Sequence, residues 1–323
     1  MTSRTLRIFA AATSLVAGFL AVPAHAAFPE KTVRIVVPFA PGGATDVVAR
    51  ALGQRLSALW KQQVIVDNKP GAGGNIGADF VAKAAPDGYT LLLASPAEVA
   101  INPYLYAKMP FDPEKDLVPV SKAASAPLVL VVHPSVPATN LAELVTYLKG
   151  RKEGTPYASA GTGGPQHMAG EQFRTLTGTA LTHVPYKGGA PAITDLLGGQ
   201  VQMFFAGLPP ALPHIKAGKL RALAITTTTP SSLIPGVPTV ASVLPGFDFE
   251  NWQGVFAPKG TPEAIVAQVA RDMAAVSDKA LAEQLASQGA APAPLTPAQF
   301  AAFVQKERQK YSILVKASGA KVD

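Results

Sequence analysis

The chain of 323 residues contains no cysteine, so neither a disulfide framework nor a cysteine-ligated metal site can be part of this protein. Charge is also sparse, because only 15% of the residues are Asp, Glu, Lys or Arg. The formal net charge of +7 comes from scattered residues, with no basic cluster interleaved with aromatic side chains. We therefore expect no nucleic-acid partner.

Common cofactor and metal signatures are missing as well. No loop has the pattern G-x-x-x-x-G-K-[ST], in which a lysine neutralises phosphate charge. The nearest approach to the dinucleotide fingerprint begins at Gly71, but it has Ile76 where the last glycine is required. The five histidines show neither H-E-x-x-H nor another zinc spacing. We predict that the protein uses no cofactor and no metal.

The N-terminus has the features of a secretory signal peptide. Arg4 and Arg7 precede an apolar run at residues 8–22, and Ala24-His25-Ala26 has the small-x-small pattern of a cleavage site. The run is shorter than the roughly 20 residues of a membrane-spanning helix. Cleavage of residues 1–26 before Ala27 leaves 297 residues (323 minus 26) and a net charge of +5 (26 basic minus 21 acidic). That length suffices for two lobes, and the charge favours anionic ligands modestly.

The most informative stretch is residues 33–46, V-R-I-V-V-P-F-A-P-G-G-A-T-D. Its β-branched run predicts a buried strand that ends at Pro38, and apolar residues from Val47 to Trp60 recur at helical spacing with Thr45 or a neighbour as N-cap. A glycine-rich loop that opens a helix presents unpaired N–H groups and the positive end of the helix dipole. The loop therefore suits a carboxylate or similar anion, and an ordinary strand-to-helix connection is the alternative.

Strands and helices alternate along the rest of the chain, with an irregular connection predicted between Met109 and Pro127. Residues 157–167, Y-A-S-A-G-T-G-G-P-Q-H, repeat the order of strand, glycine loop and helix start, with Pro165 in the first helical turn. This alternation predicts an α/β fold of mostly parallel sheets, with a ligand beyond the carboxyl ends of the strands. The terminal helices, near Thr261 and Thr296, are expected to pack on the first lobe.

Ser159 raises a second hypothesis. It follows a strand within Y-A-S-A-G, which resembles a nucleophile elbow except that Tyr157 replaces the first glycine. An exported serine hydrolase would use Ser159 with His167, His183 or Asp195 as partners. In the competing interpretation Ser159 offers its hydroxyl to a ligand, His183 is structural, and His167 is a neutral hydrogen-bonding group at a helix start.

Six segments resemble, in this order, the Bug family of extracytoplasmic solute receptors, the binding components of tripartite tricarboxylate transporters in Gram-negative bacteria: P-F-A-P-G-G-A-T-D, N-K-P-G-A-G-G-N, A-P-D-G-Y-T-L-L, G-T-G-G-P-Q-H, V-P-Y-K-G-G and G-V-F-A-P-K-G-T-P. The resemblance covers the chain from Phe28 to the last helix. It implies a monomeric, non-enzymatic periplasmic binding protein of the type II-like Venus flytrap class, which hands a small carboxylate to membrane transporter subunits. The first lobe would comprise residues 27–126 and 248–323 and the second residues 127–247, with the ligand cleft between them.

The resemblance also implies which residues surround the ligand. Six lie in each lobe: Phe39, Ala40, Gly43, Thr45, Asp46 and Ser95 in the first, and Ser159, Gly161, Thr162, His167, Tyr186 and Phe205 in the second. The chain departs from the family pattern at Ala206-Gly207, where an acidic or amide residue would follow the strand. Without an acidic group to pair with a ligand ammonium, we expect a dicarboxylate or an aromatic carboxylate. A receptor that presents its ligand to a membrane sensor is a further alternative.

Overall fold

The computed structural model describes residues 28–322, and the predicted signal peptide and its cleavage site lie outside the described residues. The strands are β1 Val33–Val37, β2 Val64–Asn68, β3 Thr90–Ala94, β4 Leu117–Ser125, β5 Leu128–Val132, β6 Thr155–Ser159, β7 Leu181–Pro185, β8 Met203–Gly207, β9 Arg221–Ile225, β10 Gln253–Pro258 and β11 Ala291–Pro292. The helices are α1 Ala44–Trp60, α2 Asn75–Ala82, α3 Asn102–Leu105, α4 Leu141–Lys149, α5 Pro165–Thr177, α6 Gly189–Leu197, α7 Leu208–Lys216, α8 Glu263–Val276, α9 Lys279–Ser287 and α10 Pro297–Ser318. A π-helical turn at Ala97–Ile101 precedes α3, and 3₁₀ turns lie at Ala72–Gly74 and Val240–Ser242.

The strands form two sheets with related topology. The first has the order β11-β4-β10-β3-β1-β2 and the second the order β7-β6-β8-β5-β9. Strands β10 and β5 each run antiparallel to both of their neighbours, and β11 runs antiparallel to β4. Four of the six strands in the first sheet and four of the five in the second therefore share one direction. The α/β fold with mostly parallel sheets is confirmed, and β10 brings the chain back from the second sheet into the middle of the first.

The prediction of an irregular connection between Met109 and Pro127 was wrong for its second half, because β4 occupies nine residues of it. Pro119 and the polar pair Ser121-Lys122 hide the strand pattern in the sequence. Pro119 has no N–H to give to the ladder, and the pairing with β10 shifts register beside it, between Val255 and Phe256. The tertiary pairing with β10 thus overrides a weak local signal.

The N-cap of α1 lies two residues before Thr45, and the difference affects the site. Helix α1 begins at Ala44 with Gly43 as its N-cap, so Thr45 lies inside the first turn. Helix α2 likewise has Gly74 as N-cap, and Asn75 lies inside the helix. Neither glycine supplies a side-chain acceptor for the first N–H groups of its helix. The first N–H groups of α1 therefore stay available to other partners, whereas the Asn75 N–H at the start of α2 donates to the Ala72 carbonyl.

The two sheets are tied together by α10. Phe300 and Val304 near its start pack with the core of the first sheet, whereas Tyr311 and Val315 near its end pack with the core of the second. The expectation that the terminal helices pack on the first lobe was therefore wrong for the second half of α10. Its apolar stripe is long enough to reach both cores. Within residues 28–322, no helix has both the length and the apolar character that a membrane span requires.

Candidate functional site

A narrow cavity, called the first cavity below, lies where loops of the two sheets face each other. Its lining residues are Phe39, Gly43, Ala44, Thr45, Ser95, Ala160, Gln166, Gly189, Gly207, Pro210 and Asn251. They follow β1 and β3 in the first sheet and β6, β7 and β8 in the second, and Asn251 comes from the segment that precedes β10. The space open to the centre of a water molecule is about 20 Å³. The facing loops therefore leave room for about one water between them.

Three helices begin at the wall of the first cavity. The lining residues Ala44, Gln166 and Gly189 belong to the first turns of α1, α5 and α6. The N–H groups of Ala44, Thr45 and Gln166 have no acceptor among the described residues. The positive ends of three helix dipoles thus meet at one point, an arrangement that attracts an anion.

The first cavity combines this positive potential with neutral side chains. None of its lining residues carries a formal charge. Asn251 and Gln166 present side-chain amides that have no hydrogen-bond partner among the described residues, although the two residues are only 2% and 6% exposed. An anion in this cavity would be held by main-chain and amide donors and not by an ion pair.

A second cavity of about 200 Å³ adjoins the first, since Phe39 and Ala160 line both. Its other lining residues are Gly71, Ala72, Gly73, Gly74, Tyr106, Gly161, Thr162, Pro185, Tyr186 and Lys187. The hydroxyl of Tyr186 donates to the Asp195 carboxylate at 2.7 Å, which orients the ring at the wall. The second cavity therefore extends the site toward the glycine loops after β2 and β6.

Two hydrogen bonds join the facing loops directly. The Ala40 N–H donates to the Lys187 carbonyl at 2.9 Å, and the Tyr106 hydroxyl donates to the Thr162 carbonyl at 3.2 Å. A Cβ atom on Gly73 would overlap the same Thr162 carbonyl, and Gly73 has a φ of +62°. Glycine at this position lets the two loops come into contact.

The structure brings seven of the twelve predicted ligand residues to the two cavities: Phe39, Gly43, Thr45, Ser95, Gly161, Thr162 and Tyr186. Ala40 lies beside them in the bond to Lys187. The other four do not line either cavity: Asp46, Ser159, His167 and Phe205. Phe205 is in the core of the second sheet, between Phe173 at 5.8 Å and Phe247 at 5.7 Å.

Asp46 supports the first loop from behind. Its carboxylate accepts hydrogen bonds from the Gly42 N–H at 2.9 Å, from Arg50 Nε at 2.9 Å and from Asn68 Nδ2 at 3.0 Å. Burial alone would raise the pKa of this carboxyl, but the bonds from Arg50, Gly42 and Asn68 outweigh it and lower the pKa. The charged carboxylate of Asp46 therefore binds groups of the protein itself and stabilises the conformation of the loop.

Ser159 and two histidines support the second loop in the same way. The hydroxyl of Ser159 lies 3.0 Å from the Gly161 carbonyl and 2.6 Å from His183 Nε2, and it accepts the Gly161 N–H at 3.2 Å. His183 stacks on His167 at 4.0 Å, and His167 Nδ1 accepts the Gly163 N–H at 3.3 Å. Burial lowers the pKa of His167 to about 4, and burial with the neighbouring His167 lowers that of His183 to about 3. Both imidazoles are neutral near pH 7.

The Ser159–His183 contact does not make a nucleophile. Ser159 is 0% exposed, so its hydroxyl cannot reach a bound molecule. No carboxylate among the described residues hydrogen-bonds His183, whereas a serine–histidine pair needs such a group to orient the base. Asp195, the carboxylate considered from the sequence, is bonded to Tyr186 instead.

Sequence reasoning missed Glu98, which lies directly behind the cavity. Its Oε2 accepts hydrogen bonds from the Ser95 N–H at 2.9 Å and from the Ser95 hydroxyl at 3.0 Å. The side chain is fully buried, and burial raises its pKa to about 8. Glu98 therefore fixes the rotamer of Ser95 at the cavity wall.

It also missed Asn251, Gln166, Gly189, Gly207 and Pro210 as lining residues. Gln166 had a signal, because it is the second residue of the helix that opens after the glycine loop G-T-G-G. No sequence signal marked Asn251, because it stands in a segment without a glycine loop or helix start. It reaches the site only because the chain passes between the two sheets there. Over residues 28–322, no three His, Asp or Glu side chains come together as a metal site.

Comparison with known proteins agrees with this geometry. A family model described as "Tripartite tricarboxylate transporter family receptor" matches residues 48–320. Protein BugT of Bordetella pertussis is 41% identical to the chain over 309 residues, which are 95% of each protein. A solved R. palustris protein with adipate is 36% identical with a TM-score of 0.89, over 91% of this chain and 100% of that one. MatC from Rhodopseudomonas palustris with bound malate is 33% identical with a TM-score of 0.84, over 89% and 100%.

Proposed function

The chain belongs to the tripartite tricarboxylate transporter receptor family, and from this premise we propose that it captures a small dicarboxylate in the periplasm and delivers it to a membrane transporter. Members of the family are solute-binding receptors and not enzymes. The secretory signal predicted from the N-terminal sequence supports the periplasmic location. Adipate and malate, found with two of the similar structures, are both dicarboxylates.

The observation that carries the proposal is the meeting of three helix N-termini at the first cavity. Helix α1 comes from the first sheet, and α5 and α6 come from the second. A carboxylate between them would accept N–H groups from both sides at once. A ligand with two carboxylates extends this contact into the second cavity, where Gly161, Thr162 and Lys187 lie.

We propose that the two sheets are the cores of two lobes, bounded at residues 27–126 with 248–323 and at 127–247. The ligand favours the closed arrangement because only there can it touch the loops of both lobes. Phe39, Gly43, Thr45 and Ser95 contact it from one lobe, and Gly161, Thr162 and Tyr186 from the other. Ala40, Asp46, Ser159, His167 and Phe205 act indirectly, through loop shape and packing.

The proposal is tested by thermal unfolding of the mature protein with succinate, malate, adipate, citrate and benzoate. A ligand at 100 times its Kd adds about 2.7 kcal/mol to the free energy of unfolding. We expect that stabilisation with at least one dicarboxylate, together with a smaller radius of gyration in solution scattering.

The matched control is the diamide of the same acid, which keeps the carbon skeleton and removes both negative charges. We expect the diamide to leave the unfolding temperature unchanged. A panel in which no dicarboxylate shifts the unfolding temperature would contradict the proposal, and so would equal stabilisation by acid and diamide. Co-purification with a sensor kinase instead of transporter subunits would overturn the delivery step alone.

A further inference from the structure

Asn251 holds a fixed place between the two sheets. It lies two residues before β10, on the segment that returns from the second sheet to the first. Its N–H donates to the Ala126 carbonyl at 3.0 Å, and its own carbonyl accepts Gln253 Nε2 at 2.9 Å. The backbone of Asn251 is therefore held in place, and its side chain starts from a fixed position at the wall of the first cavity.

The side-chain amide of Asn251 has no hydrogen-bond partner among the described residues, although the residue is almost fully buried. Buried polar groups in folded proteins are nearly always paired. Because this amide lines the first cavity, a molecule bound there can supply the hydrogen-bond partner that the protein does not.

Gly207, at the end of β8, makes room for this amide. A Cβ atom at Gly207 would lie 3.1 Å from Asn251 Nδ2 and 3.0 Å from Ala44 Cβ. A side chain at position 207 would therefore compete with Asn251 for the same part of the cavity. Because Gly207 has no side chain, the Asn251 amide is the polar group that faces the ligand at this point.

Gln166 supplies a second amide to the same cavity. It stands in the first turn of α5, is nearly buried and also has no side-chain partner among the described residues. The two amides come from segments 85 residues apart (251 minus 166). Both can donate a hydrogen bond to a carboxylate, and neither carries a charge that can pair with an ammonium group.

The nearby carboxylates do not supply that charge. Asp46 is engaged by Arg50, Asn68 and the Gly42 N–H, and it does not line the first cavity. Glu98 lies behind Ser95 and is fully buried. A ligand ammonium in the first cavity would meet the N-termini of three helices, which disfavour a cation, and no carboxylate on the cavity wall that could pair with it.

We propose that Asn251 is a specificity-determining residue, which with Gln166 makes the first cavity select dicarboxylates over the amino dicarboxylates of the same length. The inference rests on the proposed function and assigns this selectivity to one residue. Nδ2 of Asn251 donates to a ligand oxygen, and Gly207 leaves the space in which it does so.

The test on the unmodified protein uses three matched pairs of ligands in titration calorimetry: succinate and aspartate, glutarate and glutamate, adipate and 2-aminoadipate. Each pair differs by one ammonium group. For the pair that fits best, we expect the dicarboxylate to bind at least about 100-fold more tightly, since an unpaired buried charge costs that much or more. Equal affinity within the best pair, or a preference for the amino acid, would overturn the inference even if every variant failed to fold.

The variant Asn251→Asp has almost the same shape and places a carboxylate at the same point. We expect its affinity for the dicarboxylate to fall about 100-fold through like-charge repulsion, and its affinity for the amino acid of the pair to rise at least about tenfold. Asn251→Leu, which removes the donor without adding charge, should lower the dicarboxylate affinity about tenfold and give no gain for the amino acid.

The control variant is Gln200→Glu, which makes the same change of charge at an exposed residue beyond the opposite end of α6. We expect it to keep the affinities of the unmodified protein. If the unmodified protein binds dicarboxylates and Asn251→Asp keeps the same order of affinities, the inference fails and the proposed function stands. If the unmodified protein binds none of the six acids and no dicarboxylate of the thermal-unfolding panel, the proposed function itself fails.

Discussion

At the scale of single residues, the site depends on polar groups that are buried behind the cavity wall. Asp46 holds the loop after β1, Ser159 and His183 hold the loop after β6, and Glu98 holds Ser95. Each of these groups makes its hydrogen bonds with other groups of the protein. The wall of the first cavity can therefore present main-chain N–H groups in a fixed arrangement without a charged side chain.

Burial of Glu98 makes the stability depend on pH in a defined direction. Its pKa is about 8 in the folded protein against 4.5 for an unperturbed glutamate. Between these values the folded state binds a proton that the unfolded state has released, so stability falls as the pH rises from 4.5 to 8. The slope from this residue is about 1.4 kcal/mol per pH unit within that window.

We predict that Glu98→Gln removes this slope, because the amide keeps an acceptor for Ser95 and has no proton to release. Urea unfolding of both proteins at pH 5, 6.5 and 8 should show the variant gaining stability relative to the unmodified protein as the pH rises. His167 and His183, whose lowered pKa values cost stability as the pH falls below 6.5, act equally in both proteins and cancel in the difference. Parallel stability curves for the two proteins would contradict the prediction.

At the scale of elements, the two sheets face each other through glycine-rich loops that are in contact. The turn at Ala72–Gly74 approaches the loop after β6 closely enough that a side chain at Gly73 would overlap Thr162. Tyr106 directly follows α3, and its hydroxyl donates a hydrogen bond to the same Thr162 carbonyl. Because this hydrogen bond needs the two loops to be together, we expect it to stabilise the proposed closed arrangement alone.

We predict that Tyr106→Phe weakens binding of the preferred dicarboxylate by about 3- to 10-fold, the usual net contribution of one hydrogen bond. The loss should come from faster ligand dissociation in stopped-flow measurements, because the open arrangement does not use this bond.

Tyr104→Phe is the matched control. Tyr104 is 44% exposed, and its hydroxyl has no partner among the described residues. The same hydroxyl is thus removed two residues away without touching the facing loop. Unchanged dissociation in Tyr106→Phe, or an equal loss in Tyr104→Phe, would show that the bond to Thr162 does not stabilise closure.

At the scale of the whole molecule, α10 joins the two halves. Its first turns cover Trp252 and Phe256 of the first sheet, and its last turns pack beside Phe173 and Phe249 in the second core. Trp252 Nε1 donates to the Glu307 carboxylate at 2.9 Å in the middle of the helix. The helix therefore spans the junction beside which Asn251 lies.

We predict that Tyr311→Ala lowers the free energy of unfolding by about 3–5 kcal/mol, as expected for removal of a fully buried aromatic side chain. Ile313, on the same helix and 69% exposed, is the control, and Ile313→Ala should change stability by no more than about 0.5 kcal/mol. Urea unfolding measures both. A small effect at Tyr311 would mean that the second core is stable without α10.

Much of the architecture was readable from the sequence because its causes are local. The β-branched run at residues 33–37 ends at a proline, and Pro165 and Pro297 each begin a helix where the sequence placed one. Strand β4 was missed because Pro119 and polar neighbours disguise it, and only the pairing with β10 makes it a strand. Local sequence signals therefore predicted the order of the helices and strands, whereas strand β4 forms through long-range pairing that the local sequence does not show.

The sequence by itself determined the family, the α/β alternation and the two glycine loops that open helices. Those features depend on neighbouring residues, since glycine and proline restrict or free the backbone wherever they stand. Only the tertiary structure decided which side chains line the two cavities. Ser159 is turned inward by His183 and Asp46 by Asn68, while Asn251 enters the cavity beside Gly207. These pairs are far apart in the chain, and burial and hydrogen bonding bring them together only after the sheets have formed.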